Sequence, residues 1–145
     1  NKFQKKYPIA QNAVQLQQGT VMDLYPTILS VAHVKPPKHY ALDGADLKKL
    51  FQGKEDKKHR DDFLMHFPHG EHRANYFTTY RKGDWKLIYY YHPETTGIPT
   101  WKLYNLKDDP YEKTEVSAEY PKKIASMIEQ MKDRLKEENA LYPEE

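Results

Sequence analysis

The sequence contains no cysteine. That excludes a disulfide framework, a thiolate metal site and a thiol nucleophile. It leaves the compartment open, since cysteine-free chains occur both inside and outside cells. No apolar run approaches the roughly 20 residues that a membrane-spanning helix needs. Net charge is only +2, with basic and acidic residues interleaved. A nucleic-acid platform needs more positive charge than that, gathered in one place. Glycine is scarce, at six residues. There is no glycine loop to cradle phosphate and no glycine-flanked serine of the nucleophile-elbow kind. Internal repeats and low-complexity tracts are absent as well. The opening, Asn1-Lys2-Phe3-Gln4, has neither an initiator Met nor the apolar core of a signal peptide. Two readings fit such a start: a processed mature protein, or a piece excised from a larger one.

What the chain has in quantity is tyrosine, 12 residues against two Trp and five Phe. Tyrosine buries its ring and keeps its hydroxyl wet, so a chain that is 30% charged still has material for a core. At 145 residues this is one domain or part of a larger protein.

The centre of the pattern is Tyr80 to Tyr91. Gly83-Asp84 reads as a hairpin turn in which Gly supplies the positive φ. After the turn, Trp85, Leu87, Tyr89 and Tyr91 share one face, and Lys86, Ile88 and Tyr90 the other. Strands are predicted over Asp62 to Phe67, Tyr76 to Arg81, Trp85 to Tyr91 and Trp101 to Tyr104. Pro93 to Thr100 is predicted as loop.

A long amphipathic helix is predicted from Pro121 to about Ala140. Ile124, Ile128, Met131 and Leu135 form its stripe, flanked by Met127. Earlier, a helix is expected at about Asp23 to His33, capped by Asp23 and stopped before Pro36-Pro37. A short helix over Leu47 to Phe51 should be capped by Asp46 and closed by Gly53. Residues 1 to 20, rich in Gln, suit a poorly ordered arm. The fold class is therefore α+β: about four antiparallel strands packed against a long C-terminal helix, with a separate N-terminal helix that has no evident place in that unit.

Three groups of residues invite a chemical reading. His66-x-x-His69-x-x-His72 has the residue type for zinc. Residues three apart on a strand point to opposite faces, however, so convergence needs a bend at Pro68 and Gly70. Surface histidines, or histidines that contact a ligand through hydrogen bonds, are the competing readings. Tyr89-Tyr90-Tyr91 with Trp85 and Trp101 offers faces for stacking, but alternate members are expected to fill the core beneath the last helix. Asp108, Asp109, Glu112 and Glu115 precede a helix, where acidic groups stabilise turns and N-termini. Read from its residues alone, the chain is an α+β module without a self-contained catalytic site.

Several segments together resemble the C-terminal end of a formylglycine-dependent sulfatase of the alkaline phosphatase superfamily, of bacterial type. Met22-Asp23-Leu24-Tyr25-Pro26-Thr27-Ile28-Leu29 resembles that family's D-x-Y-P-T-L-L helix, and Asp43-Gly44-Ala45-Asp46-Leu47 its D-G-x-S-L turn. His66-Phe67-Pro68-His69 is similar to H-x-P-H. Arg81 to Ile88 matches R-x-G-D-W-K-L-I, and Leu103-Tyr104-Asn105-Leu106 with Asp109-Pro110-Tyr111-Glu112 matches L-Y-N-L … D-P-x-E. The segments fall in family order over roughly residues 20 to 140. Asp46 stands where the family usually has Ser, and Glu115-Val116 where Asn-Leu is common.

The resemblance implies hydrolysis of sulfate esters, of sulfated glycans or aryl sulfates. The family's nucleophile is a formylglycine made from Cys or Ser in a C/S-x-P-x-R motif, and its calcium ligands lie in a larger N-terminal domain. Ser30, Ser117 and Ser126 do not stand in that motif. The resemblance thus implies a fragment that is inactive alone. Residues 1–53 would belong with the missing catalytic domain, and 54–145 would be the C-terminal subdomain. No metal site and no catalytic residue are expected within it. His66 and His69 are the expected substrate contacts. The N-terminal catalytic domain of the same protein is the expected partner, with a homodimer of the fragment through Leu24, Ile28 and Val31. The family also implies a periplasmic or extracellular location. A different class of function, a free-standing glycan-binding module using Trp101 and the Tyr-rich face, is the alternative.

Overall fold

The computed structural model describes residue 5 and residues 7–68 and 76–142. The chain forms two compact units, Asn1–Asp61 and Asp62–Glu145.

In the first unit, a 3₁₀ turn at Val21–Asp23 leads into α1, Leu24–Ala32. His33 ends α1 in the left-handed conformation, three residues before the prolines. A one-turn helix, α2, spans Lys48–Phe51. Its N-cap is Leu47 rather than Asp46, which stands one residue earlier and accepts the Lys48 N–H at 2.8 Å. Asp23 stands at the N-cap position of α1, but its side chain makes no cap hydrogen bond to that helix. Its carboxylate takes the Thr20 N–H at 2.6 Å and the Ala45 N–H at 2.7 Å. One turn on, the Thr27 hydroxyl donates to the Asp23 carbonyl at 2.6 Å and accepts the Leu47 N–H at 2.9 Å. Asp23 and Thr27 are both buried. They join α1 to the 43–47 turn, which explains physically why those two sequence segments go together. Gly44 makes the approach possible: a Cβ there would lie 2.1 Å from the Met22 carbonyl oxygen.

The glutamine-rich arm departs from expectation, because its amides are used. Gln17 donates to the Asp56 carbonyl at 2.9 Å and accepts the Asp56 N–H at 2.7 Å, and Gln15 donates to the Lys54 carbonyl. Tyr7 is buried and bonds His33.

The second unit is a four-stranded antiparallel sheet in sequence order: β1 Asp62–Phe67, β2 Phe77–Lys82, β3 Trp85–Tyr90 and β4 Trp101–Asn105. Gly83 turns β2 into β3 with φ +56°. Between β3 and β4, where loop was expected, Pro93–Thr96 forms one helical turn, α3, between His92 and Gly97 in the left-handed conformation. The last helix, α4, spans Pro121–Glu137. It ends earlier than predicted because Asn139 is left-handed (φ +50°) and reverses the chain. The Ala140 N–H then returns to the Leu135 carbonyl at 2.9 Å, a Schellman-type closure.

The core lies between α4 and one sheet face. Tyr80, Leu87, Leu103, Met127, Met131 and Leu135 are buried there, with Leu64, Tyr89, Trp101, Ile124 and Ile128 packed around them. Met127, Met131 and Leu135, four residues apart, are the inmost line of the stripe, so Met127 is central rather than flanking.

Candidate functional site

His66 lies on β1, facing α4's side of the sheet, opposite Thr78 on β2. Both ring nitrogens are engaged. Nδ1 is 2.7 Å from Thr78 Oγ1, and Nε2 is 2.6 Å from the Leu141 carbonyl oxygen. Thr78 Oγ1 is in turn 2.9 Å from the Tyr91 hydroxyl. Thr78 has no solvent exposure and Tyr91 is 8% exposed. Burial pushes the Tyr91 phenol above its ordinary range, against the opposing effect of the Thr78 hydrogen bond. Tyr91 and Tyr142 both present rings edge-on to His66, at 6.1 and 6.0 Å between centroids.

The other two members of the histidine motif, His69 and His72, lie outside the described residues. Among the described residues, no three His, Asp or Glu side chains converge as a metal site would require.

The aromatic run divides as alternation demands. Tyr89 stacks on Trp101 at 4.3 Å and meets Tyr91 edge-on at 4.6 Å, all on the core side. One face of Trp101 is therefore taken by Tyr89. On the opposite sheet face, Lys102 sits over the Tyr90 ring.

Asp108, Asp109, Glu112 and Glu115 each have structural work. Asp108 accepts from the Asn105 amide, and Asp109 from the Thr114 N–H. Glu112 pairs with Lys86. Glu115 accepts the Leu103 and Ser117 N–H groups and the Ser117 hydroxyl. Desolvation works to raise the Glu115 carboxyl, but those donors and nearby Lys102 outweigh it and hold it below its usual range.

Sequence reasoning singled out His66 and missed its partners. Thr78 lies opposite His66 in the β1–β2 pairing, a register that the Gly83 hairpin does not set. The position of Leu141 depends on the reversal at Asn139.

The second unit is thus an α+β unit, an antiparallel sheet in sequence order that carries the Gly83-Asp84 hairpin and is followed by a long C-terminal helix. The family model described as N-sulphoglucosamine sulphohydrolase, C-terminal, matches residues 2–140, and the chain belongs to that family of formylglycine-dependent sulfatases in the alkaline phosphatase superfamily. An uncharacterized sulfatase of Schizosaccharomyces pombe is 33% identical over 86% of this chain and 23% of its own length. Human N-acetylgalactosamine-6-sulfatase is 28% identical over 88% of this chain and 29% of its own. A solved structure in complex with its substrate D-glucosamine-2-N,6-O-disulfate aligns with TM-score 0.62 and 29% identity, over 79% of this chain and 23% of that one. A 2-O GAG sulfatase shares the fold, at TM-score 0.63 and 22% identity. The chain spans about a quarter of the length of these relatives.

Proposed function

We propose that this chain is the C-terminal subdomain of a sulfatase that hydrolyses sulfate esters on glycans, and that it is inactive alone. The family match over residues 2–140 carries the reading, and the share of each relative that it covers supports the second half of it. Sulfated amino sugars are the favoured substrates, because the relatives include an N-acetylgalactosamine-6-sulfatase and a protein solved with a disulfated glucosamine.

In a full-length parent, formylglycine would supply the nucleophile and calcium would neutralise charge on the sulfate. The residues described here do not make a home for either, and no catalytic step is assigned to them. Their part is to complete the fold and one wall of the cleft. His66, whose ring is held by Thr78, and His69 help to select the sugar that carries the sulfate. The boundary we propose puts residues 1–53 with the catalytic domain and 54–145 in the subdomain.

The N-terminal domain of the same protein is the proposed partner. Leu24 and Ile28 are 47% and 63% exposed on α1. Ile28 and Val31 also line an apolar groove of about 440 Å³ with Ile9 and Phe51. In the isolated chain the stripe of Leu24, Ile28 and Val31 drives dimerisation; light scattering that finds a monomer at every concentration contradicts this. The proposed location is periplasmic or extracellular; no described helix is long and apolar enough to cross a membrane.

The test is sulfate release from N- and O-sulfated glucosamine and galactosamine, by the full-length protein and by this chain. Release by the former alone is expected. Release by the isolated chain, or by neither, overturns the reading. His69→Ala in the full-length enzyme should lower kcat/KM; an unchanged value on every substrate removes His69 from the site.

A further inference from the structure

The hydrogen bonds around His66 admit only one arrangement of protons for a neutral ring. A carbonyl oxygen cannot donate, so the Leu141 carbonyl requires the hydrogen on Nε2. A neutral imidazole then has a bare Nδ1, which must accept. The Thr78 hydroxyl therefore donates to Nδ1, and its oxygen is left to accept from the Tyr91 hydroxyl. Every hydrogen points one way, from Tyr91 through Thr78 to His66 and on to Leu141. The inner part of this line is dry, with Thr78 fully buried and Tyr91 8% exposed. A partner lost there is not replaced by water.

The far end of the line is the segment after α4. Asn139 reverses the chain, Ala140 packs against the core, and the Leu141 carbonyl turns to His66. Tyr142 then lays its ring edge-on to His66 and to Tyr91, at 6.0 and 6.2 Å. Leu141 is 80% exposed and Tyr142 is 56% exposed, so beyond Ala140 burial does little to hold the chain. The polar line and the Tyr142 ring contacts do.

We propose that Tyr91, Thr78 and His66 form a one-way hydrogen-bond relay that straps the segment beyond Ala140, Leu141 and Tyr142, to the sheet. The strap occupies Nε2, so any ligand that bonds this nitrogen must first displace the Leu141 carbonyl. That consequence rests on the sulfatase reading; the strap does not.

The experiment is two-bond ¹⁵N–¹H correlation of the His66 ring in the 145-residue chain, at mildly alkaline pH, with ¹⁵N relaxation of Leu141 and Tyr142. The expected result is a single tautomer, protonated at Nε2, and backbone order at Leu141 and Tyr142 equal to that of α4. A chain ending at Ala140 keeps its fold, and its His66 loses the single tautomer. Thr78→Val, which keeps the shape and removes the hydroxyl, frees the segment. A proton on Nδ1, a mixture of tautomers, or a mobile Leu141 in the unaltered chain overturns the proposal, whether or not Thr78→Val folds. So does a truncated chain with an unchanged tautomer. Each of these outcomes leaves the sulfate-release test untouched, so the two readings fail separately.

Discussion

Lys86 places its ammonium 2.7 Å from both carboxylate oxygens of Glu112. The pair joins the β3 strand of the hairpin to the turn after β4. The Leu106 N–H bonds the Asp84 carbonyl at 2.7 Å beside it. Two sequence segments that resemble sulfatase motifs, Arg81 to Ile88 and Asp109 to Glu112, thus meet in a single contact. Both side chains are partly exposed, at 23% and 32%, so water and salt screen the pair. A double-mutant cycle of Lys86→Met and Glu112→Gln should give a coupling of about 1 kcal/mol that shrinks as salt rises. No measurable coupling at low salt contradicts this role.

Gly44→Ala should unfold or severely loosen the first unit. Its Cβ would sit 2.1 Å from main chain at Met22, which cannot swing aside as a side chain can. A loss of at least about 2 kcal/mol is expected in thermal melts. Gly83→Ala is the control. Nothing lies within 4 Å of a Cβ there, and only its φ of +56° costs, about 1 kcal/mol. Equal effects of the two would argue against the close packing of the 43–47 turn on α1.

The two sheet faces should respond differently to truncation. Leu87→Ala or Leu103→Ala opens a cavity under α4, where both residues have no exposure, and should cost about 2–5 kcal/mol in denaturant unfolding. Met65→Ala, on the opposite face and 43% exposed, should cost under about 1.5 kcal/mol. A larger loss at Met65 than at Leu87 would place the core on the wrong side.

Acid should loosen the first unit through Asp23. Burial works to raise this carboxyl, but N–H groups of Ala45 and Thr20, the Thr20 hydroxyl and nearby His59 prevail and hold it below its ordinary value. A carboxyl whose folded pKa is depressed stabilises the fold fully above its unfolded pKa, about 3.9. That stability is lost as pH falls below this value and through the folded one. The Ala45 amide resonance should report the loss, and Asp23→Asn should remove the dependence. An Ala45 amide indifferent to acid in the unaltered chain would contradict it.

Much of this fold was legible because local chemistry decided it. Alternation fixed β1 at Asp62–Phe67, and Gly83 fixed the hairpin. The Met127–Met131–Leu135 line read as one helix face because its period is that of a helix. What escaped depends on contacts remote in sequence. Asp23 looked like a cap for α1, but its carboxylate is shared between Thr20 and Ala45, the latter 22 residues on. Gln17 looked like part of a loose arm, yet it is spent on Asp56. His66 was visible as a polar residue in an apolar strand, while Leu141, 75 residues away, offers only a carbonyl, which no sequence pattern marks.

The most direct test of the account is the reading frame upstream of the Asn1 codon. We predict a continuous frame that encodes a C/S-x-P-x-R motif and a cluster of Asp and Asn ligands. A start codon or signal peptide immediately before Asn1 would contradict the account and make a free-standing module, binding glycans without hydrolysing them, the reading to pursue.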